Sequence, residues 1–272
     1  MKFDASRAWK EASEAVTANR EVLFAIAGVF ILLPTLAFSI LFPQPEPPAG
    51  LKGEAAVQFA LDYYGSIAPW VIGMGVVQAI GTLSMLTLFT DRSRPTVSEA
   101  LRRGLGGLLP YFGAQLLLGL GIGLGGGVLI GMAGAIGAKA LVGIIVILVI
   151  VVAAYAAVKT SLVSPVIMVE GVRNPVLALQ RSWHLTKGNS GRIALFYLMV
   201  GLAFLVGLMV VMMVIGAILA LTLGMGEPTR MIAAVFSGVM GTAMTIYFVS
   251  ILASVHRQLA GPSRETIGAT FD

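Results

Sequence analysis

The side chains capable of chemistry are few in this 272-residue chain, and they form no recognisable catalytic set. The two histidines, His184 and His256, have no second histidine, cysteine or pair of carboxylates at metal-ligand spacing. No nucleophile, base and orienting residue can be assigned together. The chain has no cysteine, which excludes thiolate metal sites, cysteine nucleophiles and disulfides. The sequence therefore predicts a protein that is not an enzyme and that holds no metal or cofactor.

Two glutamines, Gln78 and Gln115, are the polar side chains best suited to form an intramembrane polar site. A glutamine amide at membrane depth needs several hydrogen-bond partners, and bonding between neighbouring helices is the alternative role for both. No acidic, basic or histidine side chain falls at the predicted mid-membrane depth. Proton relays and ion-coupled carriers use such residues, so a proton-coupled pump is disfavoured.

A glycine recurs every four residues in the third apolar run, which produces a ridge without side chains on one helix face. The ridge consists of Gly119, Gly123, Gly127 and Gly131. It predicts close packing of another helix; a flexible or broken helix lining a path is the alternative. The dinucleotide-binding pattern G-x-G-x-x-G that begins at Gly121 is accidental, because a membrane span cannot supply the surrounding βαβ unit.

The elements that position these residues follow from composition. With 57% hydrophobic and 11% charged residues and a mean hydropathy of +0.93, the chain lies far from soluble proteins, which are about 45–50% apolar and about 25% charged. A membrane span needs about 20 apolar residues. The sequence predicts an all-α integral membrane protein with six spans, at Val22–Phe42, Pro69–Thr90, Pro110–Met132, Ala140–Val163, Ile193–Leu223 and Met231–Val255.

The positive charges predict the orientation. When the N-terminus is placed in the cytoplasm, only Lys52, Lys139 and Arg230 of the 18 Lys and Arg residues fall outside. This asymmetry is the positive-inside pattern, and it predicts an integral membrane protein with both termini cytoplasmic. The net charge of +5 is explained by this topology, so no nucleic-acid partner is expected.

Three short amphipathic helices are predicted on the cytoplasmic side, each running into a pair of spans. The second starts with a capping-box spacing at Thr96 and Glu99, and the third starts with Asn174 as N-cap and has an apolar face of Val176, Leu179 and Trp183. We expect them to lie in the membrane interface, although packing on another subunit is an alternative. Their candidate contacts with lipid or a partner protein are Trp9, Arg102, Arg103, Arg181, Trp183 and Lys187. The pattern predicts a single membrane domain over 1–272 with repeat-like units at about 1–90, 95–163 and 174–256, followed by a cytoplasmic tail at 257–272.

The most distinctive segment, Ser161–Gly171, reads S-L-V-S-P-V-I-M-V-E-G. Pro165 removes a backbone donor and opposes the carbonyl of Ser161, so the fourth span should kink or end there. Glu170 follows at the predicted cytoplasmic interface. A simple surface ion pair is one interpretation of Glu170; the sharper hypothesis is that Glu170 and Arg181 fix the following helix against the kinked span.

This segment and the run N-P-V-L-A-L-Q-R-S-W-H-L-T-K-G-N resemble the membrane domain of glycerophosphoryl diester phosphodiesterases and of stand-alone bacterial inner-membrane proteins. The matching positions are Pro165, Glu170, Ala178, Leu179, Arg181, Ser182, Trp183, Leu185, Thr186 and Gly188. In the two-part enzymes, a separate soluble barrel carries out hydrolysis. This chain has no room for that barrel, so the resemblance implies the membrane module alone, in a bacterial inner membrane, with Pro165, Glu170 and Ser182 as structural motif residues.

The sequence thus favours a non-catalytic membrane protein that organises or binds lipid or a partner protein at the cytoplasmic leaflet. Anionic lipid is the expected partner, since each Lys or Arg near an anionic leaflet contributes about 1 kcal/mol of attraction. A small permease or a lipid or solute transporter is the alternative, supported by the repeat, the glycine ridge and the kinked span. A membrane-embedded enzyme is the weaker alternative.

Overall fold

The computed structural model describes residues 2–43, 45, 47–48, 50–90, 96–224 and 226–261, and this part of the chain is built from helices and their connections. In chain order the helices are α1 (Ala5–Ala18), α2 (Arg20–Ala27), a π-helical turn (Gly28–Leu32), α3 (Leu33–Leu41), α4 (Glu54–Thr90), α5 (Val97–Ala135), α6 (Lys139–Thr160), α7 (Val163–Val169), α8 (Pro175–Leu185), α9 (Ser190–Leu223) and α10 (Glu227–Ala260).

Within the described residues, six helical segments are long and apolar enough to cross a membrane, which agrees with the predicted number of spans and indicates an integral membrane protein. They are Arg20–Leu41, Glu54–Phe89, Val97–Ala135, Lys139–Val169, Ser190–Leu223 and Glu227–Ala260. We call the end of the bundle that carries α1, α7 and α8 the charged end. Of the predicted tail, residues 257–260 continue α10, whereas residues 262–272, including Arg264, lie outside the described residues, as do Arg92 and Arg94.

The second predicted amphipathic helix does not exist as a separate element, because Val97–Ala135 is one helix of 39 residues. It begins with the predicted capping box, in which the Glu99 backbone N–H donates to Thr96 Oγ1 at 3.3 Å and the Thr96 N–H donates to the Glu99 carboxylate at 3.0 Å. Pro110 lies inside this helix and cannot donate to the carbonyl of Gly106. Arg173 donates to that carbonyl instead, which helps α5 continue through the proline.

The first span contains a π-helical turn at Gly28–Leu32, in which the N–H of Leu33 donates to the carbonyl of Gly28. Pro34 follows directly. Because proline lacks an N–H and opposes the carbonyl four residues earlier, it accounts for the departure from α-helical hydrogen bonding at this point. The turn places Thr35 on the wall of a polar cavity described below.

The apolar face of α1, which the sequence predicts to lie on the membrane, packs on the protein instead. Ala8 and Ala12 are fully buried, and Ser250 Oγ of α10 donates to the Ala12 carbonyl at 3.0 Å. On α8, the buried side chains are Ala178 and Ser182 together with Leu185, so the predicted apolar face of this helix is not the face that packs inward. Small side chains let these helices approach the bundle closely.

The glycine ridge also differs from its predicted role within the chain. A Cβ added at Gly119, Gly123, Gly127 or Gly131 would meet no other atom within 4 Å, so the ridge faces outward. The close approach to α4 occurs at Gly104, about four turns before Gly119 on α5. A Cβ at Gly104 would lie 3.0 Å from the backbone nitrogen of Ser84 and 3.2 Å from the carbonyl oxygen of Ile80 on α4.

Candidate functional site

The break in the fourth span is closed by a side chain from α8. Helix α6 ends at Thr160 and α7 begins at Val163, two residues before Pro165, which agrees with the predicted kink. Ser182 Oγ accepts from the backbone N–H of Leu162 at 3.2 Å and donates to the Lys159 carbonyl at 2.8 Å. Because backbone groups inside the bundle have no water to bond, this fully buried hydroxyl stabilises the break. The sequence-predicted motif residue Ser182 therefore has a definite structural role.

Glu170, directly after α7, joins two other helices. Its carboxylate accepts from Arg181 Nε of α8 at 2.8 Å, as the sharper sequence hypothesis expects. Its second oxygen lies 2.9 Å from Nε2 of His256 on α10. Burial alone raises the pKa of Glu170, but the hydrogen bonds and positive charge of His256 and Arg181 outweigh burial and lower the pKa to about 2. The contact with His256 is absent from the sequence prediction.

A buried lysine lies next to this motif. Lys159 is only 3% exposed, and its ammonium lies 5.2 Å from the ring centroid of Trp183 and 5.7 Å from that of Tyr155. The two rings meet edge to face. Such cation–π contacts stabilise a cation that has left water. Trp183, predicted as a lipid or partner contact, is therefore also part of the enclosure of Lys159, while 42% of its surface stays exposed.

A second carboxylate holds α1 on α10. Glu11 accepts from Ser254 Oγ at 2.8 Å and from Arg7 Nε at 2.7 Å, and Arg257 lies 3.9 Å away. Burial raises the pKa of Glu11, but the hydrogen bonds from Arg7 and Ser254 together with the nearby charge of Arg257 lower it overall. Two carboxylates, those of Glu11 and Glu170, thus connect helices at the charged end, and both contact the last turns of α10.

An apolar groove of about 420 Å³ lies between α1 and α9. Trp9 stands on its α1 side, and its ring stacks on Tyr247 of α10 with 5.7 Å between centroids. The α9 side is formed by aliphatic and aromatic residues, including Phe196, Met199 and Ala203. By helical spacing, exposed Arg192 lies on the same face of α9, one turn nearer the charged end. The groove combines an apolar lining with an aromatic side chain and a neighbouring cation.

The predicted basic contacts are placed as follows. Arg102 and Arg103 of α5 and Lys187, after α8, are exposed at the charged end. Arg181 is also exposed, but its guanidinium is engaged with Glu170. None of these residues is among those that line the groove with Trp9.

The two glutamines are not brought together. Gln78 of α4 donates from Nε2 to Thr35 Oγ1 of α3 at 3.2 Å, and it lines a cavity of about 480 Å³ between α3, α4 and α10. Gln115 is exposed on α5, and its Nε2 donates to the Tyr111 hydroxyl one turn earlier, at 3.1 Å. Gln78 is therefore part of a polar cavity, whereas Gln115 only bonds within its own helix.

Comparison of the chain with family models, curated proteins and solved structures finds no match. Sequence reasoning overlooked the roles of His256, Lys159 and Arg173. The sequence does contain a sign of the role of Arg173, because Pro110 leaves the Gly106 carbonyl, to which Arg173 donates, without its usual backbone donor. The other two depend on which helices pack together.

Proposed function

We propose that this protein is a non-catalytic membrane module that binds anionic phospholipid at its charged end. The observation that carries the proposal is the apolar groove between α1 and α9, with Trp9 at its side and Arg192 one turn beyond its lining. An acyl chain fits the lining, and Arg192 attracts the phosphate of its headgroup. Tryptophan, whose ring is polar at one edge, is common at the membrane–water interface.

The resemblance to the phosphodiesterase membrane domain supports the same proposal, because in those two-part enzymes the membrane domain is separate from the barrel that carries out hydrolysis. The proposed orientation puts the charged end at the cytoplasmic face of a bacterial inner membrane, where anionic lipid attracts the basic residues. Exposed Val176, Leu177 and Trp183 on α8 support an interfacial position for that helix. The threefold repeat remains part of the proposal, although its second unit begins with an uninterrupted helix.

Native mass spectrometry of the protein in nanodiscs containing phosphatidylglycerol and phosphatidylcholine tests this function. We expect the wild-type protein to retain phosphatidylglycerol selectively. Ala203→Phe, which fills the groove, and Arg192→Gln, which removes the cation, should each reduce that retention. Ala217→Phe on the exposed part of α9 and Lys52→Gln at the other end of the bundle are the matched controls. The proposal would be contradicted if the wild type retained both lipids equally. It would also be contradicted if all four variants retained phosphatidylglycerol to the same extent.

A permease is the second candidate, and a single observation favours it: the polar cavity that contains Gln78. Flux of solute into liposomes that contain only this protein would favour the permease. We place it second because the cavity contains no charged side chain among its lining residues, whereas ion-coupled carriers depend on such groups.

A further inference from the structure

The cavity between α3, α4 and α10 is polar although it lies beside the middle of α10, in a segment long and apolar enough to span the membrane. Hydroxyl groups and one amide line it: Thr35, Ser39, Gln78, Ser237, Thr242 and Thr245. It shares no lining residue with the groove between α1 and α9. What it holds is therefore independent of the lipid-binding proposal.

The hydrogen-bond inventory shows what the cavity offers. The hydroxyls of Thr35 and Ser39 each donate to a carbonyl of α3 or of the π-helical turn, at 2.6 and 2.8 Å. The hydroxyls of Thr242 and Thr245 donate to α10 carbonyls at 2.8 and 2.9 Å. Since each hydroxyl has one proton and two lone pairs, these four present mainly acceptors to the cavity. The Gln78 carbonyl oxygen adds another acceptor, and one of its two Nε2 protons donates to Thr35, which leaves one amide donor.

The lack of charge among the lining residues narrows the class of ligand. No lining residue is charged, so an ammonium group entering the cavity would lose its hydration without gaining a carboxylate. A neutral group that carries several hydroxyls donates to the acceptors without that cost. The volume of about 480 Å³ lies within the usual range of small-molecule pockets, about 300–1,000 Å³.

The backbone keeps the space open. Gly238 and Gly241 both face this region from α10, but an added Cβ at Gly238 would lie 3.1 Å from Leu32 and 3.2 Å from Leu36, whereas one at Gly241 would meet nothing within 4 Å. Gly238 therefore permits helix packing, and Gly241 borders free volume. A large side chain at Gly241 fills the cavity without displacing a packed neighbour.

We propose that this cavity is a binding site for a neutral polyhydroxyl group, carried either by a free polyol or by a lipid headgroup. The hydroxyls of the ligand donate to Thr and Ser oxygens and to the Gln78 carbonyl oxygen. Gln78 thus becomes a ligand-binding residue, and Gln115 does not.

Two measurements on the full-length protein in nanodiscs test the site. Saturation-transfer NMR with glycerol, erythritol and glucose detects free polyols, and native mass spectrometry of the protein extracted from membranes detects a retained lipid with a polyhydroxyl headgroup. We expect saturable binding in one of them. Gln78→Leu should weaken it about three- to tenfold, as expected for loss of one or two hydrogen bonds, and Gly241→Leu should abolish it.

The matched controls are Gln115→Leu, which removes an exposed amide, and Gly119→Leu, which adds the same side chain at a glycine in open space. Both should bind like the wild type. Gel filtration and helical circular dichroism establish that each variant is folded, and Gln78→Met replaces Gln78→Leu if the latter fails. Absence of saturable binding and of a retained polyhydroxyl lipid, or equal loss in the controls, overturns the proposal and leaves a cavity that holds only water or lipid chains.

Discussion

The carboxylate of Glu170 lies 2.9 Å from Nε2 of His256, which is 86 residues further along the chain. The same carboxylate bonds Arg181 at 2.8 Å, so one side chain connects the end of the broken fourth span with α8 and α10. These three residues hold the charged end as one unit.

Replacing Glu170 by glutamine should destabilise this unit by about 1–3 kcal/mol, because the charge-assisted hydrogen bonds from Arg181 and His256 are weakened. Thermal unfolding in detergent measures the loss. Trypsin cleavage at Arg181 and Lys187 should also accelerate. Glu14→Gln on the exposed face of α1 is the control and should behave like the wild type. Unchanged cleavage in Glu170→Gln would show that α8 does not depend on this contact.

The stabilisation by Glu170 should also depend on pH. Its pKa falls from the ordinary 4.5 to about 2 in the folded protein, despite burial, because of His256 and Arg181. A lowered folded pKa means that the stabilisation is complete above about pH 4.5 and is lost as the pH falls towards 2. The difference in unfolding temperature between wild type and Glu170→Gln should therefore be larger at pH 5 than at pH 3, and it should shrink below pH 4.5. A constant difference down to pH 3 would contradict this assignment.

Ser182→Ala should lower the free energy of unfolding by about 1–3 kcal/mol, because it leaves the Leu162 N–H and the Lys159 carbonyl at the helix break without their shared hydroxyl. Chemical or thermal unfolding in detergent measures this loss. Thr17→Ala is a suitable comparison, since the Thr17 hydroxyl is exposed and bonds only to its own helix. If both variants lose equal stability, the bridge at the break is not specific.

Gly104→Ala should destabilise the contact between α4 and α5 by about 1–3 kcal/mol, because the added methyl group meets the backbone of Ser84 and Ile80. Gly123→Ala adds the same group in open space, and the higher helix propensity of alanine should leave it neutral or slightly stabilised. Unfolding temperatures of the two variants, measured side by side, separate packing from propensity. Equal stability of both variants would mean that α4 and α5 adjust without cost.

The sequence by itself determined the six long helices, since a run of about 20 apolar residues has few stable alternatives to a membrane-spanning helix. It also determined local features that depend on neighbours in the chain, namely the capping box at Thr96, the N-cap at Asn174 and the break before Pro165. Their partners lie within a few residues, so periodicity and residue type suffice to predict them.

Only the tertiary structure decided which polar groups meet. Hydropathy gives the length of a helix but neither its neighbours nor its rotation, so the pairing of Glu170 with His256 could not be read from the chain. For the same reason, the sequence placed close packing at the outward-facing Gly123 instead of Gly104, and it treated Gln78 and Gln115 alike. Packing separates these two glutamines, because α3 and α10 lie beside Gln78 and line a cavity together with it.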